Sequence, residues 1–214
     1  LSPDRICVNY MHMSPQFNPH QLDMPADTIP DQFTKKEMFL EAVEILISGG
    51  YLRTGYDHFA KADDPVAKAM LAGEMQWNRL GVTTGRYTST IALGVSGTGT
   101  LGDGFYYQNV YDIPNYQAAI DRNEFPIGLA HRLDDTDRLR RDLIQDLRSY
   151  FKADKKKYEN RTGDSFDDYF ATEITNLGDF VENGLVKVDS DRVEITEIGQ
   201  QFANLIASTF DTYI

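Results

Sequence analysis

The chain has 214 residues, of which 41% are hydrophobic, and 21 Lys and Arg face 33 Asp and Glu, so that its net charge is −12. This length can bury the core of one large domain or two small ones. The negative charge argues against binding to nucleic acid or anionic lipid, because both ligands require clustered Lys and Arg. The single cysteine, Cys7, excludes an internal disulfide, cannot alone hold a thiolate metal cluster, and indicates a cytoplasmic, reducing compartment. No apolar run reaches the roughly 18 residues of a membrane span.

A strand, a helix and a second strand are predicted at the N-terminal end. The strands cover 5–10 and 51–55, and the proline-rich stretch 14–32 between them is predicted to be a long surface loop. Thr34 and Glu37 have the spacing of a capping box for the helix. Its inward face is predicted from apolar residues at helical spacing: Met38, Ala42, Ile45 and Leu46. Strand, helix and strand in this order predict the βαβ unit of a parallel sheet.

The middle of the chain is predicted to hold a short helix and two strands. The helix covers 64–73 with Pro65 in its first turn, and the strands cover 79–84 and 90–95. A glycine-rich stretch, 94–104, follows the second strand and allows the backbone to approach a ligand or another chain closely. It lacks the Lys-Ser/Thr ending of a phosphate loop, which disfavours nucleotide phosphate as the ligand.

The C-terminal part is predicted to be mostly helical. An amphipathic helix begins at Asp134, with its inward face formed by Leu139, Leu143, Leu147 and Phe151. A further helix begins near Ser165, a hairpin covers 184–195, and a closing helix covers 196–213. Helix, hairpin and helix suggest a winged-helix-like end piece. Its acidic wing disfavours DNA binding.

Ionisable residues follow both predicted N-terminal strands. Asp57 and His58 come just after the second strand, where parallel α/β folds place their ligands, and His12 has the equivalent place after the first. Adjacent strand residues point to opposite faces, so Asp57 and His58 need not act together. By itself, His58 is more often a structural hydrogen-bonding residue than a site residue.

Seven short strings follow one another along the chain. They are Asn9-Tyr10-Met11-His12, Gly55-Tyr56-Asp57-His58-Phe59-Ala60 with Asp63-Asp64, Asn78-Arg79-Leu80-Gly81-Val82-Thr83-Thr84, Leu93-Gly94-Val95-Ser96, Gln108-Asn109, Leu133-Asp134-Asp135 with Arg140-Arg141, and Phe210-Asp211-Thr212-Tyr213. In this order they resemble the oxygen-independent coproporphyrinogen III oxidase family of radical S-adenosylmethionine (SAM) enzymes. The resemblance covers essentially the whole chain and corresponds to about the second half of such an enzyme.

The resemblance implies an α/β (α+β) fold in two parts. Residues 1–112 would form the last strands and helices of an incomplete radical-SAM barrel, and 113–214 a helical, winged-helix-like domain. A parent protein of this family would use SAM and a [4Fe-4S] cluster to remove a propionate β-hydrogen of coproporphyrinogen III, and loss of carbon dioxide would leave a vinyl group. The family's CxxxCxC cluster motif lies in the missing N-terminal half, and Cys7 matches none of its cysteines. The chain alone is therefore expected to be inactive.

The resemblance also implies site residues, although it identifies no catalytic residue and no metal ligand in this chain. The SAM side would be lined by Tyr10, Met11, Gly97 and Thr98. Arg79 is expected to bind a substrate propionate through a charge-assisted hydrogen bond. Further substrate candidates are His58, Asp57 and His12.

Four positions depart from the family pattern near this predicted site: Met11, Arg79, Leu80 and Thr98. They suggest a paralogue that acts on haem or another tetrapyrrole in place of coproporphyrinogen III. A tetrapyrrole-binding or carrier protein without decarboxylation and, less favoured, a winged-helix nucleic-acid module are the other hypotheses. A CxxxCxC motif upstream of residue 1 would support the radical enzyme.

Overall fold

The computed structural model describes residues 1–78, 81–85, 87–102 and 104–214. Its strands are β1 (Arg5–Cys7), β2 (Tyr51–Arg53), β3 (His58–Lys61), β4 (Met75–Asn78), β5 (Gly81–Thr84), β6 (Thr98–Leu101), β7 (Phe105–Asn109), β8 (Ile127–Arg132), β9 (Lys152–Asp154), β10 (Val186–Val188) and β11 (Arg192–Ile195). Its α-helices are α1 (Gln32–Ser48), α2 (Pro65–Leu71), α3 (Ile113–Asp121), α4 (Asp135–Tyr150), α5 (Lys155–Thr162), α6 (Phe166–Tyr169), α7 (Ala171–Asn176), α8 (Gly178–Glu182) and α9 (Ala203–Ser208). Short 3-10 helices cover Pro19–Asp23, Ala26–Thr28 and Gly199–Phe202. No helix in these ranges is long and apolar enough to cross a membrane.

The first sheet corrects the predicted parallel βαβ unit. Its strand order is β1-β3-β2, and β3 pairs antiparallel with both neighbours. The strands joined through α1 therefore run in the same direction, as predicted, but β3 lies between them. The prediction of a parallel sheet was wrong because the chain turns back directly after β2 and forms a hairpin. Asp57 and His58 consequently lie at this hairpin turn and not at the edge of a parallel sheet.

Helix α1 begins two residues before the predicted cap. Asp31 is the N-cap, and its carboxylate accepts a hydrogen bond of 2.7 Å from the Thr34 backbone N–H. Thr34 is thus a donor to the cap, and the predicted Thr34–Glu37 capping box is wrong. The buried residue of the helix is Phe39, whereas Met38 and Ile45 of the predicted inward face are exposed. The helix is oriented by Phe39, which stacks on Tyr56 with ring centroids 5.6 Å apart.

Two antiparallel sheets form the middle of the chain, one of β4-β5 and one of β6-β7-β8. The strand β5 agrees with the described part of the predicted strand 79–84, but β4 was not predicted. The strand predicted over 90–95 is wrong: Thr90 forms an isolated bridge with Thr100, and the segment then turns. Gly94 and Ser96 adopt positive φ values of 91° and 55°, which an extended strand does not allow.

The C-terminal part contains the larger hydrophobic core. Helix α4 begins where it was predicted to begin, and its N-cap Asp134 forms a reciprocal capping box with Asp137. Its buried face packs against the sheet β10-β11-β9 and the short helices, with a core that includes Leu143, Leu147, Phe170, Val193 and Phe210. The hairpin is confirmed, whereas the closing helix predicted over 196–213 is shorter and consists of a 3-10 turn followed by α9.

The predicted boundary after residue 112 remains a prediction. Strand β8 follows that boundary in the chain and yet pairs with β7, which precedes it. The main C-terminal core is formed by residues after Leu133.

Candidate functional site

The β2–β3 turn brings Asp57 and His58 together. Asp57 Oδ1 lies 2.6 Å from His58 Nδ1, and each side chain is 19% exposed. The alternation of side chains along a strand does not apply here, because Asp57 lies in the turn and His58 begins β3. The carboxylate accepts the Nδ1–H hydrogen and thereby fixes the orientation of the ring. The structural hydrogen bond expected for His58 is therefore present, with Asp57 as its partner.

The other ring nitrogen of His58 faces β5. A Cβ atom built on Gly81 would lie 2.6 Å from His58 Nε2, so the imidazole fits only because this position is glycine. Arg79 and Leu80, which precede Gly81 in the sequence, lie outside the described residues. The predicted contact of Arg79 with a propionate therefore remains a prediction.

Cys7 lies next to this pair on the neighbouring strand. It is the antiparallel partner of His58, so their side chains share one face of the sheet. The thiol is exposed, and Asn9 Nδ2 donates a hydrogen bond of 3.2 Å to Sγ. Burial of part of the side chain and the charge of Asp57 raise the pKa of the thiol, which keeps it protonated at neutral pH.

Two tyrosines form the next part of the site. The Tyr10 and Tyr56 hydroxyl oxygens are 3.2 Å apart, and Phe39 lies against both rings. Burial raises the pKa of Tyr56, and the hydrogen bond with Tyr10 and the charge of Asp57 act in the same direction. Tyr56 is therefore a neutral phenol at physiological pH. Met11 extends from this group and is exposed.

Arg53 holds the turn that carries the site. Its Nε and Nη2 donate to the Tyr56 carbonyl at 3.1 and 2.6 Å, and its Nη1 donates to Gln200 Oε1 at 3.2 Å. Burial lowers the pKa of the guanidinium to about 10, although Tyr56 and Asp57 raise it, so the group stays charged at neutral pH. This arginine links the turn to the C-terminal part of the chain.

Of the predicted SAM-side residues, Thr98 begins β6 and Gly97 directly precedes that strand. A Cβ atom built on Gly97 would lie 3.1 Å from the Ala92 side chain and 3.1 Å from the Leu93 carbonyl oxygen. Thr98 is the antiparallel partner of Gln108 on β7. The contacts of the described residues do not join Gly97 or Thr98 to Tyr10 and Met11. His12 is exposed and accepts a hydrogen bond from Gln21 Nε2 at its carbonyl oxygen. Of the predicted site residues, the structure therefore brings together Asp57 and His58, and Tyr10 contacts their turn through Tyr56.

A groove of about 750 Å³ lies between β4, β6 and α4 and has Thr98 in its wall. Its size is that of a small-molecule site. Aromatic residues form part of the wall: Trp77, Tyr87, Tyr106 and Tyr150. Lys157, also in the wall, forms an ion pair of 2.5 Å with Asp146. The groove could not be predicted from the sequence because β4 was missed.

The sequence interpretation missed Cys7, Tyr56 and Arg53 as members of the site. Tyr56 lies in the Gly55–Ala60 string that carried the resemblance, so a signal for it existed. The pairing of Cys7 with His58 depends on the register between β1 and β3, which are separated by more than fifty residues in the chain. No local pattern specifies such a register.

Comparisons with known proteins match the entire chain. The oxygen-independent coproporphyrinogen III oxidases of Pseudomonas aeruginosa and Synechocystis are 36% and 33% identical to it, over 100% of the chain and 46% and 47% of their own lengths. The structure of coproporphyrinogen III oxidase (HemN) from Escherichia coli, described as a radical SAM enzyme, superposes with a TM-score of 0.91 at 32% identity and covers 100% of this chain and 49% of that one. The family model for the HemN C-terminal domain matches residues 133–202.

The chain thus spans about half the length of these relatives. The resemblance inferred from the seven strings is confirmed, and so is the mixed α/β fold class. The chain therefore belongs to the oxygen-independent coproporphyrinogen III oxidase family of radical SAM proteins and corresponds to their C-terminal part.

Proposed function

We propose that the chain is the substrate-side part of a protein that oxidatively decarboxylates coproporphyrinogen III. The observation that carries this proposal is the superposition of the whole chain on the E. coli enzyme with a TM-score of 0.91. On this proposal, 1–112 complete a radical-SAM barrel supplied mainly by an N-terminal half, and 113–214 form its winged-helix-like cap.

The chain by itself does not hold the iron-sulfur cluster of such a protein. A [4Fe-4S] cluster needs several cysteine thiolates, and the sequence has one cysteine. SAM and the cluster, where bound, supply the radical chemistry of the family. The cluster ligands must therefore come from another part of the protein, and we expect the 214-residue chain alone to be inactive.

The proposed task of this chain is to bind and orient. Tyr10 and Met11 are exposed beside the Asp57–His58 turn, where they are available to SAM, and Gly97 and Thr98 offer a second wall. Asp57 fixes the ring of His58 through Nδ1, and Gly81 packs against Nε2, so this pair holds the turn beside Tyr10 in place. The contact with a propionate is assigned to Arg79, through a charge-assisted hydrogen bond.

The test is an anaerobic assay of the full-length protein that contains this chain, reconstituted with iron and sulfide. We expect it to consume SAM and to convert coproporphyrinogen III propionates to vinyl groups with release of carbon dioxide. His58→Gln is expected to lower kcat/KM at least about tenfold, because it removes the hydrogen bond with Asp57 that holds this turn in place. The matched control is His20→Gln, a change at an exposed histidine outside the site, which should leave kcat/KM unchanged.

Other outcomes would redirect the proposal. SAM cleavage with haem and none with coproporphyrinogen III would identify a paralogue with another tetrapyrrole substrate, in agreement with the departures at Met11, Arg79, Leu80 and Thr98. Tight haem binding without turnover would identify a carrier. Turnover by the 214-residue chain alone would contradict the assignment of the cluster to a separate half.

A further inference from the structure

Three side chains with different donor atoms converge beside the β2–β3 turn. They are the Cys7 thiol, the Asp57 carboxylate and the His58 imidazole, and one donor atom from each lies within 4.8 Å of the other two. The geometry points to a site for a thiophilic divalent cation, with Zn²⁺ as its natural occupant, bound by these three residues. This site is separate from the cluster chemistry of the family and does not depend on the proposed function.

The backbone holds the three residues in place. Cys7 and His58 are directly paired across β1 and β3, so their side chains lie on the same face of the sheet. The Val8 N–H donates to the Asp57 carbonyl at 2.9 Å, which extends the ladder by one step and fixes the turn. Phe59, the next residue of β3, is 1% exposed and anchors the strand in the interior.

The spacing suits a tetrahedral ion after a small adjustment. Nitrogen and oxygen ligands of Zn²⁺ at 2.0–2.1 Å from the metal lie about 3.3 Å apart in a tetrahedron. Asp57 Oδ1 and His58 Nδ1 are 2.6 Å apart, so a small rotation of the carboxylate is enough. Gly81 covers Nε2, which leaves Nδ1 as the nitrogen that faces the ion. On binding, the thiol proton goes to solvent and the imidazole proton moves to Nε2.

The donor set selects the kind of ion. Thiolate, imidazole and carboxylate together suit Zn²⁺, whereas Ca²⁺ and Mg²⁺ prefer oxygen ligands alone. Asn9 already donates its amide hydrogen to Cys7 Sγ, and such a donor stabilises a metal-bound thiolate. Cys7 is exposed, so an ion can enter from solvent, and three protein ligands leave a fourth position for water or an anion.

Two nearby arginines leave the carboxylate available. Burial lowers the pKa of the Arg53 and Arg148 guanidinium groups, and the nearby charge of Asp57 partly offsets this effect. Within the described ranges, however, their hydrogen bonds go to Tyr56, Gln200 and Asn204. A cation at the site therefore competes with the Asp57–His58 hydrogen bond and not with an arginine ion pair.

The experiment uses Co²⁺ as a spectroscopic probe for Zn²⁺. The reduced, metal-free 214-residue chain is titrated with Co²⁺ under anaerobic conditions. We expect a thiolate-to-cobalt charge-transfer band in the near ultraviolet together with the intense visible bands of tetrahedral Co²⁺, both lost when Zn²⁺ is added. Cys7→Ser should abolish the charge-transfer band. Asp57→Asn and His58→Gln should each weaken Co²⁺ binding at least about tenfold, and His20→Gln should leave it unchanged.

Several results would overturn the site. The absence of the charge-transfer band in the unaltered chain is one. Loss of the band in Cys7→Ser without any effect of Asp57→Asn and His58→Gln would reduce the site to a single thiol. X-ray absorption of the Zn²⁺-loaded, unaltered chain tests the proposal without any variant. One sulfur and two or three nitrogen or oxygen neighbours are expected, and a sulfur-free shell would contradict the proposal.

Discussion

At the scale of single residues, the orientation of the His58 ring requires a residue without a side chain at position 81. Gly81 has a φ of +120°, and a Cβ there would lie 2.6 Å from His58 Nε2. Gly81→Ala therefore combines backbone strain with a displaced imidazole, and it is expected to lower the free energy of unfolding by about 2–3 kcal/mol. Urea unfolding of the 214-residue chain measures this loss.

The control for this substitution lies four residues away. Gly85 has a φ of +80°, and a Cβ there would meet no atom within 4 Å, so Gly85→Ala tests backbone strain alone. We expect it to cost about 1 kcal/mol. Equal losses for the two variants would show that the His58 contact contributes nothing.

Sequence reasoning named single residues of the candidate site but did not predict how they are grouped. Asp57 and His58 were singled out because they follow a strand, and they do lie at one turn. Their direct hydrogen bond was not expected, because side-chain alternation holds for strand residues and not for a turn. Cys7 was used only to infer the compartment, since its position beside His58 depends on long-range register.

At the scale of elements, Asp64 joins the start of α2 to β1. Its carboxylate accepts the Val66 backbone N–H at 2.7 Å and the Arg5 Nε hydrogen at 3.0 Å. Asp64→Ala removes the cap and leaves Arg5 without this partner, so we expect a loss of about 1–2 kcal/mol in the free energy of unfolding. Chemical denaturation measures it. Asp63→Ala, a change at the exposed neighbour, is the control and should cost less than about 0.5 kcal/mol.

The same carboxylate gives a pH dependence. Burial alone would raise the pKa of Asp64, but the hydrogen bonds from Arg5 and Val66 outweigh it and hold the pKa below the usual value of 3.8. The stabilisation is therefore complete above the unfolded-state pKa and is lost as the pH falls through the lower folded-state value. Unfolding measured between neutral pH and pH values below about 4 should show a smaller acid-induced loss in Asp64→Asn than in the unaltered chain. A parallel pH dependence in both proteins would contradict this assignment.

Elements with strong local signals were predicted correctly. Helices α2 and α4 begin at Asp residues that cap them, and the β10–β11 hairpin follows its alternating pattern. The start of helix α1 was predicted too late in the chain, because Asp31 is a stronger N-cap than Thr34. Strand β4 was missed since its alternation of apolar and polar residues covers only four positions and includes no β-branched side chain.

At the scale of the whole molecule, α4 connects the two regions of the chain. Tyr150 donates to the Met75 carbonyl at 2.7 Å, and the Arg148 guanidinium lies 3.9 Å from the Trp77 ring centroid. Arg148 also donates to Asn204, next to the C-terminal core. These contacts hold β4, and with it one wall of the groove, against the C-terminal part. The sequence showed α4 as an amphipathic helix but not its second set of partners, which are polar and distant in the chain.

A largely buried ion pair contributes to the position of the C-terminal segment. Arg140 donates to Glu173 at 2.6 Å and to the Phe210 carbonyl at 3.0 Å, and the two charged side chains are only 14% and 12% exposed. Arg140→Ala leaves the Glu173 charge buried and the carbonyl without this donor, so we expect a loss of about 3–5 kcal/mol in the free energy of unfolding.

Removal of both charges should be much less damaging than removal of one. In Arg140→Met/Glu173→Gln no buried charge is left alone, and the expected loss falls to about 1–2 kcal/mol. The exposed pair of Arg122 and Glu124 is the control, since Arg122→Ala should cost less than about 1 kcal/mol. Urea unfolding of all four proteins separates the two effects. If Arg140→Ala and Arg122→Ala were equally stable, the Arg140–Glu173 pair would contribute no more than an exposed ion pair.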